Sequence, residues 1–376
     1  MFKSNSIWFW QQILTPHMAG LAAELANRGF KVTYVANSLL SSARAKQGWE
    51  TPNLGKAKLI LATNKENVIN IASDAPKDSV HICQGLRSNG LIKYTQKILK
   101  KRGLKHWILM EMVDDDGAIG LIKRIIYNIL FLRWKNNLTG VLAIGQNAIE
   151  WYVDRGIKKD SIYPFAYFLD RPKVDNFLKL SEKEKKNRPF RFVFVGRLVK
   201  LKKIDLLIKA IASLKKDNIE FWVIGSGPEE KYLRSMANLL IPNKVYWLGT
   251  LPISHISNKI VQADCLVLPS RYDGWGAVVC EALMVGTPVI CSDACGSSEV
   301  VQASGVGSVF LKNDHQSLSD SLHQQYELGQ INIAERQKII EWSKCLCAES
   351  GAEYLDLILN NTKKELVEAP WLKKNI

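Results

Sequence analysis

Short apolar runs alternate with longer amphipathic stretches over the first 145 residues of the chain. The runs predict strands at residues 6–10, 31–36, 58–62, 78–83, 106–111 and 140–145. The longer stretches predict helices at residues 17–29, 90–102 and 119–138. Strands that alternate with helices in this way are typical of a parallel, doubly wound sheet.

The composition changes after residue 170, and the alternation then starts again. Pro172 and Pro189 bracket a charged stretch, LSEKEKKNR, which indicates a linker. Beyond it, strands are predicted at residues 190–196, 219–225, 244–249, 265–270 and 287–293. The chain therefore predicts an α/β protein of two Rossmann-like domains, with bounds at 1–170 for the first domain, 171–189 for the linker, 190–360 for the second domain and 361–376 for a tail that could cross back to the first domain. In such folds, ligands bind at the carboxyl ends of the strands, so a cleft between the two domains is the expected site.

Composition indicates the structural class and the compartment of the protein but gives no information about its chemistry. Hydrophobic residues make up 47% of the chain and charged residues 23%, which is ordinary for a globular protein. The seven cysteines include no CxxC pair, which favours a reduced, cytosolic compartment without a zinc site. No apolar run reaches 18 residues and the start lacks a signal-peptide pattern, so secretion and membrane spanning are not expected.

The charge of the chain adds the first indication of a partner. The net charge is +15, and residues 1–170 carry 23 Lys and Arg against 13 Asp and Glu. A basic excess on the first domain predicts an anionic partner, which could be nucleic acid, an anionic membrane surface or a phosphate-rich substrate. No aromatic–basic strand motif or recognition helix is present, which argues against nucleic acid.

The motifs of the second half are more specific than its charge. There is no GxxxxGK[ST] sequence, and the turn Gly225-Ser226-Gly227-Pro228 lacks the third glycine of a dinucleotide fingerprint. In order along the chain stand FVFVGRLVKLKKIDLLIKAIASL, VIGSGPEEKYLRSMA, VYWLGTL and ADCLVLPSRYDGWGAVVCEALMVGTPVICSDACGSSEVV. Together these segments resemble the C-terminal domain of the GT4-type retaining glycosyltransferases, which have the GT-B fold. The first half resembles the same family more loosely.

The resemblance implies a cationic clamp on the diphosphate of a nucleotide-sugar donor, formed by Arg197 and Lys202. The chemistry agrees, because a sugar nucleotide loses a diphosphate whose growing negative charge two fixed cations would stabilise. Where the family has glycine after the lysine, this chain has Lys203. The inward-pointing cation is therefore either Lys202 or Lys203. The alternative interpretation is that the whole stretch is a solvated surface turn.

The resemblance also implies a donor-binding loop that leads into a helix. Asp273 stands where the family has a glutamate that holds donor-sugar hydroxyls, and Glu281 matches the residue that holds the ribose. Glycines in such a loop let backbone N–H groups approach a diphosphate closely. The remaining donor-binding residues that the resemblance implies are Gly225, Gly227, Gly274, Trp275, Gly276 and Ala277.

The first domain departs from the family pattern at its sugar-contacting histidine. The strand HWILMEMVDDD offers Glu111 and Asp114–Asp116 instead, so Glu111 is a candidate to replace the histidine as a catalytic sugar contact. His17 is the candidate acceptor-binding residue and His81 a further candidate, although a lone histidine is often structural. Because GT-B enzymes use the cationic clamp in place of a metal, no metal or other cofactor is expected, and the three aspartates are interpreted as a solvated or acceptor-facing loop.

The helix predicted at residues 118–138 combines basic residues with apolar and aromatic ones around much of its circumference. This pattern suits a helix in a membrane interface, and the basic stretch at residues 93–105 favours the same interpretation. The alternative is a core helix with charged outer positions. The basic residues of the helix are Lys123, Arg124, Arg133 and Lys135.

The combined expectation is a metal-independent retaining glycosyltransferase. It would move a hexosyl unit from a UDP- or GDP-sugar to a growing cell-surface glycan, such as a lipid-linked polysaccharide or an O-antigen or capsule intermediate. The expected location is cytoplasmic, peripheral on the inner face of the cytoplasmic membrane. The alternative is a catalytically inactive GT-B protein that binds sugar nucleotides or acts as a scaffold.

Overall fold

The structure is a computed structural model that describes residues 5–145, 147–172, 188–361 and 367–373. The chain forms two compact units. The first comprises Met1–Ser41, Thr51–Asp170 and Leu346–Ile376, and the second comprises Ser42–Glu50 and Arg171–Cys345. Of the predicted linker, residues 173–187 lie outside the described residues.

The first unit contains a seven-stranded sheet in the order β3-β2-β1-β4-β5-β6-β7, with every neighbouring pair parallel. Its strands are β1 (Ser6–Ile13), β2 (Lys31–Ser38), β3 (Lys58–Leu61), β4 (Val80–Gln84), β5 (His106–Glu111), β6 (Leu138–Ile144) and β7 (Ile162–Phe165). The helices in this part of the chain are α1 (Pro16–Asn27), α2 (Ser42–Ala45), α3 (Lys65–Asp74), α4 (Ile92–Lys101), α5 (Gly117–Trp134) and α6 (Ala148–Val153).

The second unit contains a six-stranded parallel sheet in the order β10-β9-β8-β11-β12-β13. Its strands are β8 (Phe190–Val195), β9 (Ile219–Ile224), β10 (Val245–Gly249), β11 (Cys265–Leu268), β12 (Val289–Ser292) and β13 (Gly307–Phe310). The helices that follow β8 are α7 (Ile204–Ser213), α8 (Glu230–Leu240), α9 (Ile253–Ile260), α10 (Ala277–Met284), α11 (Ser298–Ser304), α12 (His315–Leu328), α13 (Ile333–Trp342) and α14 (Ala348–Asn360).

Burial explains why the central strands read as continuous apolar runs. In β8, Phe192, Val193 and Phe194 are all fully buried, although their side chains alternate between the two faces of the sheet. A parallel sheet is covered by helices on both faces, so its strands lack a polar side. The doubly wound fold predicted from the sequence is therefore confirmed in each unit.

The strand order places a switch point in each sheet. In the first sheet the chain moves outward from β1 to β3 and then returns to β4 on the other side of β1. The second sheet repeats this arrangement, with β9 and β11 on opposite sides of β8. The loops that leave the carboxyl ends of such strands diverge and open a crevice, which is where doubly wound folds bind ligands.

The second unit ends earlier than the sequence predicts. The predicted second domain, 190–360, is wrong beyond Cys345, because α14 belongs to the first unit. A Cβ on Gly351 of α14 would lie 2.3 Å from the Phe168 ring, and Tyr354 Oη donates a hydrogen bond to the Pro164 carbonyl at 2.9 Å. The apolar face of α14 is therefore complementary to the first unit.

Part of the predicted tail also lies with the first unit. Residues 367–373 are described, and within them Trp371 is buried with its ring centroid 6.1 Å from that of Phe168. Residues 362–366 and 374–376 of the predicted tail are outside the described residues. Across the described part of the chain, no helix combines the length and apolar character needed to span a membrane.

Candidate active site

The turn after β8 brings a lysine to the carboxyl edge of the second sheet. Lys202 closes a single 3-10 turn, Lys200–Lys202, and its Nζ donates to the carboxylate of Asp273. Both side chains are less than one-fifth exposed. Because β8 and β11 flank the switch point of this sheet, the ion pair lies where a doubly wound fold binds its ligand.

The neighbouring Lys203 differs from Lys202 in its backbone conformation and in its ion-pair partner. Its backbone is left-handed, with φ 50° and ψ 39°, as the chain passes from the 3-10 turn into α7. Glycine adopts this conformation without steric cost, which agrees with the glycine that the resemblance implies at this position. The Lys203 ammonium lies 3.5 Å from the Asp205 carboxylate, so Lys202 and not Lys203 is the lysine that meets Asp273.

Arg197 stands at the start of the same segment. Its side chain is exposed, whereas the next residue, Leu198, is fully buried and anchors the turn. Among the described residues, its guanidinium has no ion-pair partner. In the segment that follows β8, Lys202 is therefore paired with Asp273, whereas Arg197 is exposed to solvent.

The two glycines of the GxGP turn support this segment. A Cβ on Gly225 would lie 1.9 Å from the carbonyl oxygen of Gly196, and a Cβ on Gly227 would lie 2.3 Å from that of Leu198. The Leu198 N–H donates to the Ser226 carbonyl at 3.0 Å. Gly225 and Gly227 are thus required for close backbone packing behind Arg197, a structural role that the donor-binding prediction did not include.

The predicted donor-binding loop is fixed by backbone hydrogen bonds to residues 294–297. Asp273 N–H donates to the Ala294 carbonyl at 3.1 Å and Ser297 N–H donates to the Trp275 carbonyl at 2.9 Å. Gly274 and Trp275 are buried, so they shape the loop from beneath. The Asp273 carboxylate therefore projects from a rigid base.

The loop leads directly into α10. Gly276, with φ 85°, is the N-cap of this helix, and Ala277 is its first residue. Ala277 and Val278 are half-buried, so the first turn remains partly accessible to solvent. The N-terminus of a helix carries partial positive charge and N–H groups without intrahelical partners, which suits an anionic ligand.

Glu281 occupies the second turn of α10. Its side chain is partly buried, and the loss of hydration on burial raises its pKa from 4.5 to about 7. A carboxyl group whose pKa is raised in this way is characteristic of functional sites, although structural groups show the same shift. No ion pair or hydrogen bond joins its carboxylate to another described residue.

In the first unit, the structure brings Glu111 and His17 into one cluster through a residue that sequence reasoning missed. Glu111 ends β5 and accepts a hydrogen bond from Tyr167 Oη at 2.9 Å. The Tyr167 ring stacks on the His17 imidazole with centroids 5.1 Å apart and planes 20° apart. The only sequence signal for Tyr167 was an aromatic residue just after an apolar run, and such residues are common.

His81 is a structural residue in this unit. It is buried in β4, its Nδ1 accepts a hydrogen bond from Trp10 Nε1 at 3.2 Å and its Nε2 lies 3.3 Å from Ser79 Oγ. Burial lowers its pKa to about 3, so the imidazole is neutral. His81 therefore holds β1 and β4 together.

The three aspartates after β5 do not form one solvated loop, which corrects the prediction for Asp115. The Asp115 carboxylate pairs with the buried Arg155 and accepts a hydrogen bond from Trp151 Nε1 at 3.0 Å. This carboxylate therefore ties the segment before α5 to α6. Within the described residues, no group of three or more His, Cys, Asp or Glu side chains is placed to hold a metal ion.

The comparisons with known proteins concern the segment that contains the predicted donor-site residues. The family model described as "Glycosyl transferases group 1" matches residues 176–344, which contain Arg197, Lys202, Asp273 and Glu281. The chain is 35% identical over 123 residues to the putative teichuronic acid biosynthesis glycosyltransferase TuaC of Bacillus subtilis, covering 33% of this chain and 27% of that protein. It is also 35% identical over 112 residues to an uncharacterized glycosyltransferase of Methanocaldococcus jannaschii, covering 29% of each. The chain thus spans less than one-third of the length of these two relatives.

A solved structure shows the same fold over nearly the whole chain. HepE of Anabaena, in complex with UDP, superposes with a TM-score of 0.73 at 14% identity, covering 94% of this chain and 99% of that one. At this level of identity the likeness establishes the fold, which is GT-B. Within this fold, residues 176–344 match the family model of the glycosyl transferases group 1.

Proposed function

We propose that this chain is a retaining glycosyltransferase that moves a hexosyl unit from a nucleotide diphospho-sugar to a growing cell-surface glycan. The observation that carries the proposal is the grouping of Lys202, Asp273 and the N-terminus of α10 beside the β8–β11 switch point. This grouping lies inside the segment that matches the group 1 family. It offers a cation, a carboxylate and helix N–H groups for one ligand.

The proposed donor chemistry follows from these groups. When the bond between the sugar C1 and the phosphate oxygen breaks, the departing diphosphate gains negative charge, which Lys202, Arg197 and the α10 N-terminus would stabilise. In this structure Lys202 is paired with Asp273. A bound diphosphate would take over the ammonium and leave the Asp273 carboxylate to accept hydrogen bonds from sugar hydroxyls. Glu281 would accept hydrogen bonds from the ribose.

In the front-face displacement that we propose, the acceptor hydroxyl attacks from the face on which the diphosphate departs, so the configuration is retained. A phosphate oxygen of the leaving group then takes the acceptor's proton, and no protein base is obligatory. This reaction needs no metal, because the cationic groups carry the electrostatic task. In this scheme His17 contacts the acceptor.

The relatives support a nucleotide donor and a cell-surface product. The TuaC relative is named for teichuronic acid biosynthesis, and the Anabaena HepE structures contain UDP or UDP-glucose. We infer that the donor here is a UDP- or GDP-sugar. The inferred acceptor is a lipid-linked polysaccharide or an O-antigen or capsule intermediate.

A panel of nucleotide sugars tests the proposed function. UDP-glucose, UDP-galactose, UDP-N-acetylglucosamine and GDP-mannose are added separately and the melting temperature is measured. A ligand at 100 times its Kd stabilises the folded state by about 2.7 kcal/mol. We expect one donor to raise the melting temperature and Lys202→Ala to remove that rise. If no donor has an effect, the glycosyltransferase proposal is wrong; if donors bind but no transfer occurs, the scaffold alternative is favoured.

We also propose that the first unit attaches to an anionic membrane through α5. The exposed apolar residues of this helix, which we call the α5 apolar stripe, are Ile119, Leu121, Ile122, Ile125, Ile129 and Leu132, each between 53% and 72% exposed. Exposed apolar residues of this density mark an interaction surface rather than ordinary surface.

Charge complementarity selects an anionic lipid surface as the occupant. Arg124 and Arg133 are exposed on α5, and Lys97, Lys100 and Lys101 are exposed on α4. Lys100 joins the two helices, because its Nζ lies 5.1 Å from the centre of the Trp134 ring. Basic side chains beside an apolar stripe bind the headgroups of anionic lipids while the stripe enters the interface. The proposed location is therefore peripheral, on the inner face of the cytoplasmic membrane.

A further inference from the structure

Three strand ends of the first sheet contribute one side chain each to a compact polar cluster. His17 follows β1, Glu111 ends β5 and Tyr167 follows β7. The Tyr167 phenol donates to Glu111 Oε1 at 2.9 Å, and its ring stacks on His17 at 5.1 Å between centroids. All three side chains are partly buried, so the cluster is shielded from much of the solvent but remains accessible to a ligand. We call these residues the Tyr167 cluster.

The backbone beneath Tyr167 is rigidly held. Phe165 and Phe168 on either side of it are fully buried, and Phe165 stacks on Tyr354 of α14 with centroids 6.0 Å apart. Leu169 donates its N–H to the Leu346 carbonyl at 3.2 Å and accepts from Ala348 N–H at 2.9 Å. The phenol is therefore fixed in place before any ligand arrives, which is the condition for a positioning residue.

The chemistry of the cluster suits a carbohydrate hydroxyl. A carboxylate has about four acceptor sites on its two oxygens, so Glu111 can accept from Tyr167 and from a ligand at the same time. Hydrogen bonds in which one partner is ionised are stronger than neutral ones, and they gain most when the charged group is held in one orientation. The phenol supplies that orientation, and the stacked His17 limits movement of the phenol ring.

We propose that Tyr167 is a positioning residue that fixes Glu111 and His17 as one recognition unit for the sugar hydroxyls of the acceptor. This inference rests on the proposed function, because it assigns the acceptor site of the same enzyme. It differs from the sequence-based expectation, which treated Glu111 and His17 as separate contacts to two substrates. In the cluster, a single ligand meets both.

The test measures binding of simple sugars to the full chain without requiring turnover. Saturation-transfer NMR is recorded with methyl α-glucoside, methyl α-galactoside and methyl α-mannoside in saturating UDP and GDP, so that the donor site is filled. The wild type should transfer saturation to at least one glycoside. Tyr167→Phe removes only the phenolic hydroxyl and should weaken that binding about tenfold, as expected for one hydrogen bond to a charged group.

A double-mutant cycle separates positioning from general structural support. If Tyr167 acts through Glu111, Tyr167→Phe should change the affinity of the Glu111→Ala protein by less than about twofold. Tyr152→Phe is the matched control, because its hydroxyl donates to the Met110 carbonyl at 3.0 Å, next to Glu111, and it should bind the glycoside like wild type.

The outcomes distinguish this inference from the proposed function. It is overturned if no glycoside binds, if Tyr167→Phe has the same effect in both backgrounds, or if Tyr152→Phe is equally damaging. Stabilisation of the same protein samples by a nucleotide sugar is recorded alongside. If that stabilisation persists, the proposed donor chemistry stands even though the acceptor assignment fails.

Discussion

Lys202 and Lys203 are adjacent in the chain, but their side chains reach different carboxylates, Asp273 and Asp205. Because Lys202 would stabilise the departing diphosphate, Lys202→Ala should slow transfer about 100- to 1000-fold. The melting temperature should fall as well, by the equivalent of about 1–3 kcal/mol, since Lys202→Ala leaves the largely buried Asp273 carboxylate without its partner. Rates are measured with the donor selected by the thermal panel.

Lys203→Ala is the control for this prediction. It removes a neighbouring positive charge of the same kind and should retain most of the transfer rate. An inactive Lys203→Ala protein together with an active Lys202→Ala protein would contradict the assignment of Lys202 to the clamp. If both variants keep the wild-type transfer rate, neither lysine belongs to the diphosphate clamp.

Glu281 should make stability depend on pH. Burial raises its pKa from 4.5 to about 7, so between these values the folded protein holds a proton that the unfolded chain has released. The free energy of unfolding must then fall as pH rises through this window. Glu281→Gln lacks the titration, so its stability relative to wild type should grow by about 1–3 kcal/mol between pH 4.5 and pH 8.

Urea unfolding of both proteins at several pH values measures this difference. A difference that stays constant across the window would mean that the pKa of Glu281 is not raised. Binding of a ribose hydroxyl to the ionised carboxylate should reduce the effect, so the same series is repeated with the stabilising donor present.

Single residues differ in how far the sequence could predict them. The sequence named Lys202 and Asp273 through a family resemblance, but their ion pair joins positions 71 residues apart and only the fold reveals it. Tyr167 could not be named, because its role depends on three strand ends meeting at one edge of a sheet. The glycines at 225 and 227 were expected near a ligand, whereas the structure shows that they contact backbone.

At the scale of elements, α5 exposes apolar side chains that a core helix would bury. We expect the wild type to sediment with vesicles of phosphatidylglycerol and phosphatidylcholine but not with vesicles of phosphatidylcholine alone. Added salt should release the protein from the anionic vesicles. Ile122→Glu combined with Ile125→Glu should abolish sedimentation, because each places a charge in the α5 apolar stripe.

Leu239→Glu is the matched control for the vesicle experiment. Leu239 is 81% exposed on α8 of the second unit, so the same substitution there should leave sedimentation unchanged. Equal binding to neutral vesicles, or binding to neither kind, would contradict the proposed membrane surface.

Elements were predicted best at the centre of each sheet and worst at its edges. The central strands are buried on both faces, so their apolar runs are long and distinct. The two strands that the sequence did not indicate, β7 and β13, have four residues each and form edges. Pro164 lies within β7 and Gly307 begins β13, and both residue types argue against a strand.

At the scale of the whole molecule, α14 completes the first unit. Gly351→Ala would place a methyl group 2.3 Å from the buried ring of Phe168, so it should lower the free energy of unfolding by about 1–3 kcal/mol. Glu353→Ala, on the exposed side of the same helix, should have little effect. Urea unfolding followed by tryptophan fluorescence measures both, and equal stabilities would contradict the packing of α14 on this unit.

The division of the chain also sets an order of events during synthesis. Helix α14 packs on α1 and on residues near Asp170, yet it is translated only after the entire second unit. At about 5–20 residues per second, the ribosome needs roughly 10–35 s to travel from Asp170 to Ala348. During that interval the second unit can acquire its structure while the nascent first unit still shows an uncovered apolar surface. Translation speed across residues 171–345 therefore determines how long that surface is exposed to chaperones and to other nascent chains.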